Sequence, residues 1–219
     1  MAGQLGSGAD APRPGAPRDL RTDRLWLRRW RPADLAPFAA LNSDTRVMEY
    51  FSAVLSAEES NRMVSRIEAH FEERGFGLWA IEIPNVTSFA GFIGLTVARF
   101  EARFTPCVEI GWRLAHEHWG RGYATEGAQA TVEFGFTALG LEEVVSFTTA
   151  GNMRSRRVME KLGMSHDPAD DFDYPLLPDG HPLRRHVLYR WLAGPGERHR
   201  EGTARRKAAL ADLRSRLGG

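Results

Sequence analysis

The 219-residue sequence holds a single cysteine, Cys107. One thiol can neither close an internal disulfide nor build a thiolate-rich metal centre, and this fits a reducing cytoplasm. An excess of one charge is missing too: 29 Lys and Arg stand against 28 Asp and Glu. No global field therefore favours nucleic acid or a membrane surface as partner. No stretch approaches the roughly 20 apolar residues of a membrane helix. Residues 1–20 lack the apolar centre of a signal peptide. Without secretion, the sequon Asn85-Val86-Thr87 has no consequence. There is no internal repeat. What is present is 42% apolar and 26% charged residues, enough for one domain with a sizeable core.

Three zones follow from composition. Residues 1–20 are rich in Pro and Gly and are expected to be disordered. Residues 21–193 carry the periodic patterns of a folded domain. Residues 194–219 open on Gly194-Pro195-Gly196 and form a basic tail, in which Ala209, Leu210, Leu213 and Leu217 recur at helical spacing. That helix is read either as packed on the domain or on a second subunit of a homodimer, or as a segment that recruits an acidic partner.

Within the domain, Leu25 to Leu27 reads as a strand, and Arg31-Pro32-Ala33-Asp34 opens a helix. Ser56 with Glu59 forms a capping-box signature for a second helix that ends near Gly75 and Gly77, with Met63, Ile67 and Phe71 on one face. Strands are predicted over 78–83, 89–98, 108–114, 144–149 and 186–191, and helices over 123–139 and 153–162. Helices and strands do not alternate strictly, so the class is mixed α/β rather than doubly wound. Gly91 and Gly94 mark a bulge or a close backbone approach.

The sharpest local signal is Trp119-Gly120-Arg121-Gly122-Tyr123-Ala124-Thr125-Glu126, which follows a strand and opens a helix. Two glycines allow a tight turn, and the unpaired N–H groups of the first helical turn then suit a pyrophosphate. Arg121 offers a charge and Thr125 a hydroxyl. A nucleoside-triphosphate loop is excluded, because no Gly-Lys-Ser/Thr follows. A dinucleotide fingerprint is excluded, because Thr125 stands where its third glycine would be. A second segment, Thr148 to Gly163, reads as strand, polar loop, helix and glycine cap, with Asn152 and Ser155 at capping positions.

Taken together, Glu109-Ile110-Gly111-Trp112, the glycine turn and Asn152-x-x-Ser155 with Glu160-Lys161-Leu162-Gly163-Met164 resemble the GCN5-related N-acetyltransferases, in their RimJ/RimL-type branch. Leu20-Arg21-Thr22-Asp23-Arg24-Leu25 and His186-Val187-Leu188-Tyr189-Arg190 look like the same branch. The resemblance spans about residues 20–192. It implies a mixed, mostly antiparallel sheet flanked by helices and splayed between its fourth and fifth strands, 108–114 and 144–149. The pantetheine arm of acetyl-CoA, the co-substrate, would enter that gap along Trp112, Arg113 and Leu114. Main-chain amides from Trp119 to Thr125 (Gly120, Arg121, Gly122, Tyr123 and Ala124 between them) would hold its pyrophosphate. Trp119 departs from the Gln or Arg that often begins this turn.

The resemblance further implies an acyl-CoA and an amine acceptor as partners, with direct transfer in a ternary complex. An α-amine titrates near 7.7–8 and a lysine near 10.4, so an α-amine needs about 3.4 kcal/mol less help to become neutral. Glu109 is the candidate base, read alternatively as a strand carboxylate paired with an Arg. Asn152 would fix the pantetheine or a water, and Ser155 would donate to the departing sulfur. No tyrosine acid stands at the usual place, the first after Asn152 being Tyr174. Cys107 reads as structural. His116, Glu117 and His118 lack the spacing of a zinc motif, and no metal is expected. The acidic cluster Asp167, Asp170, Asp171 and Asp173 borders the acceptor entrance or forms a solvated loop, and His181 lies on a turn beside it. The acceptor is a protein N-terminus or a small-molecule amine. Another acyl group such as succinyl, or a non-catalytic CoA-binding module, are the alternatives.

Overall fold

The computed structural model describes residues 19–194. Of the segment 1–20 expected to be disordered, residues 1–18 lie outside the described residues, as does the basic tail from residue 195 on; Leu20 is ordered, paired with Leu27. In chain order the elements are β1 (Leu20–Arg21), β2 (Trp26–Arg28), α1 (Leu35–Ser43), α2 (Ala57–Arg74), β3 (Leu78–Ile83), β4 (Thr87–Val97), β5 (Val108–Leu114), α3 (Tyr123–Thr137), β6 (Glu143–Thr149), α4 (Met153–Lys161), β7 (Ser165–His166), β8 (Phe172–Asp173) and β9 (Arg185–Leu192). The strands form one sheet in the order β1-β2-β3-β4-β5-β6-β9-β7, with β8 also on β9. Every neighbouring pair is antiparallel except β5 and β6. The two-residue strands β1, β7 and β8 are too short to leave a pattern in the sequence, and β8 was read there as part of an acidic loop.

The predicted helix starts hold for stated reasons. Ser56 Oγ accepts from the Glu59 N–H at 3.2 Å, and Glu59 Oε2 accepts from the Ser56 N–H at 2.8 Å. Pro32 opens a short 3-10 turn that leads into α1. The buried Arg28 fixes this corner. Its guanidinium donates to both Asp34 oxygens at 2.8 Å and to Glu82 at 2.8 Å. Both Arg28 and Asp34 are 2% exposed, so the pair is retained only because every donor has an acceptor.

The core lies on both faces of the sheet. Trp79, Ile93, Leu95 and Ile110 pack with Val132 and Phe136 of α3 and Met159 of α4. Phe89 and Phe92 pack on the opposite face with Phe38 and Leu41 of α1. Helix α2 contributes Ile67 and Phe71 to the first cluster and Val64 to the second. A third cluster joins Val145, Phe172 and Leu188 to the rings of Phe100, Phe104, Phe147 and Tyr174. The close approach expected at Gly91 is present: a Cβ there would stand 2.1 Å from the Arg113 carbonyl oxygen.

Candidate active site

The site is set by where the sheet stops being a sheet. β5 and β6 pair in register only at Glu109 and Val145 and then diverge. β4 and β5 meanwhile stay paired over seven residues, from Gly91–Leu114 to Val97–Val108. Strand alternation turns the peptide groups of Ile110, Trp112 and Leu114 toward the gap. Ser146 Oγ closes its narrow end by donating to the Ile110 carbonyl at 3.0 Å. At the wide end the Leu114 carbonyl accepts from Trp119 Nε1 at 2.8 Å. The indole that departs from the usual Gln or Arg thus holds the end of β5. No strand faces Trp112 on this side.

The wide end leads into the glycine turn. Gly120 has φ +73° and Gly122, the N-cap of α3, has φ +84°. Such backbone is strained for an L side chain. The Trp119 N–H bonds to the His116 carbonyl and the Glu126 N–H to that of Gly122. The N–H groups from Gly120 to Ala124 find no acceptor among the described residues. A Cβ on Gly120 would meet nothing within 4 Å, so the turn is open. It is braced from far away in sequence. Arg24 donates to the Arg121 carbonyl at 3.0 Å and pairs with Glu126, which also accepts from Thr22 Oγ1 at 2.6 Å. Thr22, Arg24 and Glu126 were matched in the sequence as letters of a pattern; their joint task was not legible there.

Glu109 sits at the narrow end. As a residue it is half-buried, and no hydrogen bond or ion pair reaches its carboxyl among the described residues. The expected pairing with an Arg is not found. Burial alone pushes its pKa up to about 8. Burial and the Glu109 charge also raise the hydroxyl of Tyr174, whose ring stacks on His186 at 4.9 Å. Tyr174 was noted in the sequence only as too late for the usual acid, and His186 only as part of a strand pattern. Cys107 also lies near Glu109, and its thiol is pushed up to about 12, chiefly by burial. It is therefore no nucleophile at neutral pH.

Asn152 and Ser155 are brought together at the start of α4. Asn152 Oδ1 accepts from the Ser155 N–H at 3.2 Å, and its Nδ2 donates to Thr148 Oγ1 at 3.0 Å and Ser155 Oγ at 3.2 Å. Asn152 thus makes the N-capping bond its type favours, whereas Ser155 supplies the N–H that is capped and makes no capping bond of its own. The Ser155 hydroxyl, an acceptor in this set, keeps its own proton to donate.

The loop before α2 joins the two sides of the gap. Phe51 covers the Arg113 guanidinium at 4.0 Å, Tyr50 lies against Gly151, and Glu49 pairs with Arg154 of α4. Arg154 also lies over the Trp119 ring at 4.7 Å. A cavity of about 200 Å³ opens between α2 and Thr96, with Arg66 and Arg99 at its rim. Thr96, one of its lining residues, is the cross-strand partner of Glu109, which itself does not line the cavity. The acidic cluster is not an open anionic patch: Asp170 pairs with Arg190, Asp171 with His166, and Asp173 with Arg184 and Arg185. Asp167 caps a short helical turn. Among the described residues no three His, Cys, Asp or Glu side chains converge as a metal site, and no helix is long and apolar enough to cross a membrane.

The acetyltransferase (GNAT) domain family matches residues 24–165, and the chain belongs to that family. YkkB of Bacillus subtilis, an uncharacterized protein, is 32% identical over 148 residues, 67% of this chain and 85% of that one. The uncharacterized N-acetyltransferase YoaA of the same organism is 30% identical over 150 residues, 68% and 83% of the two chains. Among solved structures, the ribosomal L7/L12 alpha-N-protein acetyltransferase RimL, in complex with coenzyme A, superposes with a TM-score of 0.62 at 17% identity. It covers 81% of this chain and 97% of that one. At that identity the likeness is one of fold.

Proposed function

We propose that this acetyltransferase moves an acetyl group from acetyl-CoA to a primary amine by direct attack within a ternary complex. One observation carries the reading: the unpaired edge of β5 runs from a desolvated, unpartnered carboxyl at Glu109 to the free amides of Gly120 to Ala124. That edge suits pantetheine amides as a missing strand would, and the turn suits a diphosphate. Trp112 offers both its peptide groups, and Leu114 its N–H. Amides here supply the charge complement, so Arg121 and Thr125 add to the turn rather than create it.

Glu109 takes the proton released as the amine nitrogen bonds to the thioester carbon. The carbon–sulfur bond then breaks, and the electron pair leaves with the sulfur. A pKa of about 8 matches that of an α-amine, so the transfer is close to balanced, whereas a lysine lies more than two units higher. Ser155 donates its hydroxyl proton toward the leaving sulfur. Asn152 holds that hydroxyl in place. Most of the acceleration comes from holding both substrates in line. The test is release of free thiol from acetyl-CoA in the presence of amino acids, amino-acid amides, polyamines and N-terminal peptides. Turnover above hydrolysis with at least one amine is expected. Hydrolysis alone across the whole set would refute the proposal.

A further inference from the structure

Glu109, Gly111 and Arg113 alternate onto one face of β5, and across from them stand Thr96, Gly94 and Phe92 of β4. The two glycines leave the middle of this face without side chains. A Cβ on Gly111 would meet only Glu109 Oε1, at 3.9 Å. Three residues of strand separate the acid from the arginine, about 13 Å along the backbone. The two do not pair with each other.

Arg113 is an unusual cation. Its guanidinium lies between the rings of Phe51, at 4.0 Å, and Phe92, at 5.4 Å. It has no carboxylate partner among the described residues. Its one hydrogen bond goes from Nη1 to the neutral amide oxygen of Asn42, at 2.6 Å. Nε is buried, and neither it nor Nη2 finds an acceptor among the described residues. Nε and Nη2 form one edge of the guanidinium, the two-pronged edge that matches a carboxylate. Burial without a counter-charge lowers the pKa to about 10, and a buried, unpaired charge is costly unless a ligand completes it.

We propose that the acceptor is a small amine that carries its own carboxylate, with its nitrogen at Glu109 and its carboxylate on the free Nε–Nη2 edge of Arg113. Gly111 is the floor between the two ends. Arg113 then sets specificity, because an acceptor that lacks the anion leaves the buried guanidinium unsatisfied. The proposal rests on the transferase reading for the position of the amine. It goes beyond that reading in naming the acceptor's chemical class.

The test sets each of a series of free amino acids, with amine and carboxylate from one to five carbons apart, against its own carboxamide, which has the same amine and side chain but no anion. With the native enzyme and acetyl-CoA, kcat/KM for the best amino acid is expected to exceed that of its amide by about 10²-fold or more. In Arg113→Met that ratio should collapse toward unity, and Arg113→Lys, which keeps the charge without the fork, should restore part of it. Equal use of acids and amides by the native enzyme, a preference for N-terminal peptides, or an unchanged ratio in Arg113→Met would each overturn the proposal. If Arg113→Met does not fold, the native ratio alone decides. If no amine is acetylated, the transferase reading fails, and calorimetric titration of the same pairs onto the CoA-saturated enzyme decides this one. Binding of the acid but not the amide supports it, and binding of neither sinks it.

Discussion

A carboxyl group that titrates near 8 is mostly protonated at pH 7, and this gives Glu109 two measurable signatures. As a base it must be ionised, so its contribution to rate grows as pH rises through about 8. Glu109→Gln is expected to lower kcat about 10²-fold at high pH. Dividing the native pH–rate profile by that of the variant should leave a limb near pH 8, whereas a flat quotient would remove Glu109 from the chemistry. Stability carries the second signature. The folded pKa lies above the unfolded value of about 4.3, so the native state holds the extra proton between the two. Stability contributed by Glu109 is therefore present below about pH 4.3 and is lost as pH rises toward 8. Denaturant melts should show Glu109→Gln gaining on the native protein between pH 4 and pH 9, by on the order of 2 kcal/mol after discount for residual solvent contact.

At the level of elements, much was legible because it was local. The strand over 78–83 lies where alternation puts it, the one over 108–114 has the bounds read for it, and α2 begins at the capping box that Ser56 and Glu59 spell out. The turn before α3 was legible as well, since glycine is the residue that accepts positive φ. Gly122→Val places a β-branched side chain at φ +84° with its Cβ 3.4 Å from Arg24 Nη2. Titration calorimetry should show affinity for CoA down by at least about 10-fold, because distorting this N-cap costs roughly 1–2 kcal/mol and misaligns the amides. Retained affinity would show that the turn does not hold the phosphates. What was not legible spans long stretches of chain. Arg24 meets Glu126 across 102 residues, and Tyr174 comes near Glu109 while stacked on His186 of β9, beyond β6. Such contacts leave no periodic trace, since each is a single residue satisfied by packing that only the folded chain supplies. The acidic cluster shows the reverse. Its composition suggested an anionic entrance, yet neighbouring arginines and a histidine absorb it.

Seen whole, the molecule is two sub-sheets, β1 to β5 and β6 to β9 with β7 and β8, hinged at one backbone pairing and spanned by the loop of Glu49, Tyr50 and Phe51. The single feature that decides its behaviour is that parting. An internal strand edge normally has its neighbour beside it; here the neighbour is withheld, and solvent must take its place until a guest arrives. The amide protons of Trp112 and of Gly120 to Ala124 should trade rapidly for deuterium in the empty protein and slowly once coenzyme A is present. The opposite edge of the same strand, already zipped to β4, should hardly change. Mass-spectrometric or NMR exchange would reveal this asymmetry within one seven-residue segment, making β5 its own internal control.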